Sequence, residues 1–180
     1  MKDRFLRQAR HEYSPRQRGI ALAGLAVIFL GVLPWLLVRL GSRLDTAVHL
    51  PRFVFGPANL VVGGVLVVVG WLLGIWSNYA QFTLASGTPV PLMATQKLIV
   101  SAPYSYCRNP MALGAVIMYL GVAVAAGSLG STVLVFLGAA CLLTYIKRIE
   151  EKEMESRFGQ EYLEYRRRTP FLLPRIRGRD

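Results

Sequence analysis

From Gly19 to Leu40 the chain carries no charge except Arg39, near the end of the run. About 20 apolar residues are what a helix needs to cross a hydrocarbon core of about 30 Å. With no water to satisfy bare N–H and C=O groups, only helices and closed barrels span that core. Three more apolar blocks follow: Asn59 to Ile75, Met111 to Ala126 and Ser131 to Tyr145. The 53% hydrophobic content is gathered in these blocks rather than spread, which argues against an ordinary soluble domain. The expected fold is therefore all-α. It is a polytopic helical membrane protein with about four transmembrane helices, including a C-terminal helical hairpin, and a cytoplasmic C-terminal helix.

The punctuation between blocks divides a single domain into parts. Residues 1–18 are basic and polar and read as an interfacial segment. Residues 19–145 hold the membrane helices, with Pro34 expected to kink the first. Gly63, Gly64, Gly70 and Gly74 are expected to let the second span pack closely. A polar loop over 79–110 separates the second span from the hairpin, and 146–180 form a cytoplasmic tail. Within that tail Met154, Phe158 and Tyr162 repeat every fourth residue, an apolar stripe on one helix face. Pro170 ends that helix.

Charge sets the orientation. The N-terminal segment carries six Lys/Arg, the tail ten and the 79–110 loop two, against Arg39, Arg43 and Arg52 around the first loop. Eighteen against three places both termini and the 79–110 loop in the cytoplasm by the positive-inside rule, in what is expected to be a bacterial inner membrane. The formal net charge of +11 is then accounted for by anionic lipid, with no nucleic-acid partner. Cys107 and Cys141 form neither a disulfide framework nor a metal site. No His lies near Cys107 in sequence to activate it, and no metal is expected.

The stretch Tyr104-Ser-Tyr-Cys-Arg-Asn-Pro-Met-Ala-Leu-Gly114 crowds aromatic, cationic and amide groups directly before an apolar block. Pro103 and Pro110 bias Ala102 and Asn109 toward extended backbone. Beyond the hairpin stand Glu150 and Glu151. By themselves they are a solvated helix start beside Lys147 and Arg148. Facing the same compartment as the loop, they could also meet it, and a carboxylate at a membrane interface is costly unless paired.

Together these two halves resemble the isoprenylcysteine carboxyl methyltransferase family, related to the phospholipid methyltransferases. The resemblance rests on Ala102-Pro-Tyr104, Arg108-Asn-Pro110, Gly114, Glu150-Glu151 and Phe158-Gly-Gln-Glu-Tyr162-Leu-Glu-Tyr165, then Pro170 and Pro174, covering roughly Gln96 to Pro174. It implies an integral-membrane enzyme using S-adenosylmethionine. Carried over by position, Arg108 and Glu150 take the catalytic roles. Tyr104, Asn109, Pro110, Met111, Ala112, Glu150, Glu151 and the segment Gln96, Lys97, Leu98, Ile99 would hold the cofactor. Ile146 and Lys147 would face substrate. Tyr104 or Tyr106 could offer a ring to adenine or sulfonium, and Arg108 could pair the cofactor carboxylate or dock on a glutamate.

Asn109 stands where the family has His, Ala112 where it has Tyr, and Ile146 where prenylcysteine enzymes have Arg. The implied acceptor is accordingly another lipophilic or membrane-embedded molecule, entering from the lipid between the hairpin and the second span. The alternatives are a phospholipid or amine N-methyltransferase, a thiol S-methyltransferase, or a non-enzymatic membrane protein retaining the fold. Oligomeric state is left open by the sequence.

Overall fold

A computed structural model describes residues 14–84 and 97–174. Residues 1–13 of the expected interfacial segment lie outside the described residues, as does Gln96, while residues 15–18 form the first turn of a helix that continues into the first apolar run. The described residues are helical, without strands. We number the helices α1 (Pro15–Val27), α2 (Leu33–Val48), α3 (Pro57–Leu84), α4 (Pro110–Ala125), α5 (Leu129–Tyr145) and α6 (Glu151–Arg168). Single π turns, Ile28–Val32 and Ile146–Glu150, join α1 to α2 and α5 to α6 without a break. The four apolar blocks thus become an all-α membrane bundle. Among the described residues three helices are long and apolar enough to cross a membrane, while Pro110–Ala125 is shorter.

Two boundaries differ from the sequence reading. The second span does not stop at Ile75 but runs to Leu84, so residues 79–84 belong to a helix and not to the loop. Pro34 does not itself mark the irregularity; the π turn just before it does. Proline lacks the N–H that would reach back four residues, and its ring crowds the carbonyl there. The wider π turn, in which Leu33 N–H reaches Ile28 O, relieves that crowding upstream.

The bundle is held by glycine contacts. A Cβ on Gly70 would run into Gly114 O, and one on Gly121 would lie 2.6 Å from Gly63 O. The two pairs, seven residues apart on each helix, clamp α3 and α4 backbone to backbone. Gly64 faces open space instead. A second seam joins α2 to α5, where Gly41 and Gly130 meet. The end of the bundle remote from the 98–109 loop is tied by two buried polar side chains. Asp45 accepts from Ser128 Oγ and Gly130 N, both at 2.6 Å. Asn59 accepts from Phe55 N and donates to Phe53 O and Val124 O.

At the other end Gly159, at φ 53, breaks α6 and turns its second half back. That conformation suits glycine, which has no Cβ to strain. The turn buries Tyr162 and Tyr165 against Ala80, Ile99 and Tyr104. Met154 and Phe158 pack on the same cluster, so the apolar stripe of the tail is a docking face.

Substituting Gly70 by Val should destabilise the bundle by on the order of 1–3 kcal/mol through overpacking. Gly64→Ala should leave it unchanged. Melting of the two variants in one detergent checks this; equal melting would break the clamp assignment.

Candidate functional site

The 98–109 loop is held from two directions. Gln81 Nε2 donates to Tyr104 Oη at 2.7 Å, and Tyr165 Oη donates to Tyr104 O at 2.7 Å. The loop's far end is tied to the C-terminal tail. Arg108 N donates to Pro170 O at 2.9 Å and Asn109 Nδ2 to Phe171 O at 2.9 Å, while the Arg108 guanidinium lies over the Phe171 ring. The loop closes one side of a cavity of about 300 Å³. That is at the small end of the range for ligand sites.

Three parts of the chain build its wall. The loop and the start of α4 give Leu98, Ile99, Tyr104, Arg108, Asn109, Met111, Ala112 and Ala115. The α5–α6 junction gives Leu142, Ile146, Glu150, Glu151, Met154, Tyr162 and Tyr165. Gln81 of α3 and Phe29 of the first π turn complete it. The motif loop and the glutamates therefore do meet.

The second π turn explains how both glutamates reach the cavity. Glu151 N–H bonds to Ile146 O, five residues back. One wide turn puts Glu151 beneath Ile146, and both are buried. Glu150 remains beside them on the same wall instead of rotating away.

The two glutamates are unequal. Arg108 Nη2 lies 2.9 Å from Glu151 Oε1, and both side chains are nearly buried, 11% and 12% exposed. Glu150 has no ion-pair partner among the described residues, although it is half-buried. Arg108 thus docks on Glu151 rather than Glu150. A further acceptor is Gln81 Oε1, buried with no hydrogen-bond partner among the described residues.

Several expected positions stand elsewhere. Lys97 and Lys147 are exposed and outside the wall, because each points from its segment toward solvent. Pro110 is fully buried behind the wall as the first residue of α4. Tyr106 is 54% exposed and leans on Trp76, 6.2 Å between centroids, so Tyr104 alone of the pair lines the cavity. Burial pushes the Tyr104 hydroxyl well above its ordinary pKa, so it stays neutral. Burial also pushes the Cys107 thiol up, which disfavours the nucleophilic thiolate.

Gln81, Phe29, Ala115, Leu142, Met154, Tyr162 and Tyr165 were not foreseen as wall residues. Gln81 falls in the stretch read as loop, and the tyrosines read as packing. The second span and the hairpin pack backbone to backbone at Gly70 and Gly114. Phe29 and Leu142, 43% and 38% exposed, belong to both the cavity wall and the apolar outer surface. The cavity meets the lipid face there.

The phospholipid methyltransferase family matches residues 58–161, more than half of the chain and every element of the cavity except Phe29, Tyr162 and Tyr165. The cobalt-zinc-cadmium resistance protein CzcN of Cupriavidus metallidurans is 35% identical over 79 residues, 44% of this chain. The chain spans only about a third of that relative's length, 36%. No solved structure matches the chain.

Removing one partner of the Arg108–Glu151 pair should cost about 3 kcal/mol or more, because the other charge is left nearly buried. Arg108→Ala or Glu151→Ala should therefore melt far below the double variant Arg108→Met/Glu151→Met. Additive losses in the double variant would show that the two charges are not coupled.

Proposed function

Because the chain belongs to the phospholipid methyltransferase family, we propose that it transfers a methyl group from S-adenosylmethionine to a lipophilic acceptor at the membrane interface. The observation that carries the reading is Glu150, a half-buried carboxylate without a cation on an otherwise largely apolar wall. A buried charge demands a partner, and the ammonium of an amino acid moiety is one. Gln81 Oε1 offers a second acceptor for the ligand's N–H groups. These two acceptors therefore fit the ammonium of this cofactor.

When bound, S-adenosylmethionine supplies an electrophilic methyl on a sulfonium centre. What the chain's own residues do is bind, orient and exclude water. Glu150 holds the cationic end. Tyr104, fixed by Gln81 and Tyr165, gives a neutral aromatic wall that tolerates positive charge. Arg108 is a positioning residue: neutralised by Glu151, it ties the loop to the tail and leaves Glu150 as the open charge. Alignment of acceptor and methyl can by itself contribute about 7–11 kcal/mol, so a site poor in acid–base groups is adequate for displacement.

The acceptor reaches the site beside Phe29 and Leu142. Its neighbourhood is apolar, with Ile146 buried in the wall where prenylcysteine enzymes have Arg. This favours an acceptor without a carboxylate over a prenylcysteine. On the charge asymmetry of the sequence, the cavity opens toward the cytoplasm.

Glu150→Gln should weaken S-adenosylmethionine binding roughly 10- to 100-fold, the value of a charge-assisted hydrogen bond, with little change in melting temperature. Calorimetry on detergent-purified protein reads both species directly. Wild-type binding unaffected by the substitution would remove Glu150 from the site. No binding by a folded wild type would favour a non-enzymatic protein retaining the fold.

A further inference from the structure

Away from the cavity, α2 carries two faces of different character. Gly41 and Asp45 face α5, where Asp45 is spent on Ser128 and Gly130. The opposite face forms a shallow depression lined by Val38, Arg39, Ser42, Arg43, Thr46 and Ala47. Arg39, Ser42, Arg43 and Thr46 recur at three- and four-residue spacing and so make one stripe. Both arginines are exposed, and neither has an ion-pair partner among the described residues.

The stripe lies where the first apolar run ends. Trp35, one turn nearer the apolar run, is 59% exposed and lies under Arg39, 5.7 Å from guanidinium to ring centre. An exposed tryptophan marks the membrane–water boundary. Two uncompensated guanidinium groups at that level match a phosphate in charge and in donor geometry. The acidic residue of the same helix cannot compensate them, because it is buried on the far side. The apolar surface below the stripe runs on through Val32, Leu33 and Phe29 and suits acyl chains.

We propose that this stripe binds the phosphate of an anionic phospholipid headgroup. The occupant is a lipid rather than a soluble anion, because the arginines stand directly above an exposed apolar helix face. The site is at the opposite end of the bundle from Glu150, and it stands whether or not the methyl-transfer reading does.

Native mass spectrometry of the full chain, released from micelles doped with dioleoylphosphatidylglycerol or dioleoylphosphatidylcholine, tests it. The wild type should retain the anionic lipid in preference to the zwitterionic one. Arg39→Ala/Arg43→Ala should weaken that retention about thirtyfold, each charge near an anionic surface being worth about fivefold. Arg148→Ala, an exposed arginine at the other end, should retain it as the wild type does. Thr46→Glu sets a carboxylate in the intact stripe and should also release the lipid; it decides the matter if the double variant does not fold. Undiminished retention in the folded variants, equal loss in Arg148→Ala, or release by inorganic phosphate alone would overturn the assignment.

Discussion

Lipid gives no hydrogen bonds to bare backbone, and at several interruptions of the helices among the described residues side chains supply them. Asp45 takes up Gly130 N–H at the start of α5. Asn59 satisfies Phe53 O and Phe55 N–H within the α2–α3 connection and Val124 O in the last turn of α4. Tyr119 Oη donates to Phe29 O, inside the first π turn. Asn109 and Tyr165 do the same for Phe171 O and Tyr104 O. The cavity exists because the last two of these bonds let irregular backbone stand at the membrane face without cost.

Within that frame the division between Glu150 and Glu151 decides what the cavity can bind. One acid and one base cancel across the loop–α6 contact; the remaining acid gives the cavity its sign. Had Arg108 met Glu150 instead, Glu151 would be the open carboxylate and the charge would sit elsewhere on the wall. A single wide turn of helix chooses between these arrangements, because it swings Glu151 under Ile146 and into reach of Arg108.

Much of the architecture could be read from the residues. Four apolar blocks became the bundle, and glycines at 63 and 70 proved to be contact points. Proximity of Arg108 to the glutamates followed from charge-based topology, and Gly159 turned the chain as its type suggested. What escaped was anything set by which side of a helix meets which partner. Gly64 and Gly70 look alike in sequence, yet the first faces open space and the second a backbone carbonyl. Glu150 and Glu151 are indistinguishable until a π turn separates their fates. Asn109, read as a cofactor contact, also fastens the tail, since its amide finds Phe171 O 62 residues away. Gln81 was hidden by a helix that outlasted its apolar run.

The brevity of α4 has a consequence for the surrounding lipid. Its 16 residues rise about 24 Å at 1.5 Å per residue, some 6 Å less than a hydrocarbon core of about 30 Å. Neighbouring α3, with 28 residues, has length to spare. A span shorter than the core is met by local thinning of the bilayer or by flanking residues that snorkel, and Arg108 flanks the start of α4. Thinning at that end would bring headgroups level with the cavity mouth.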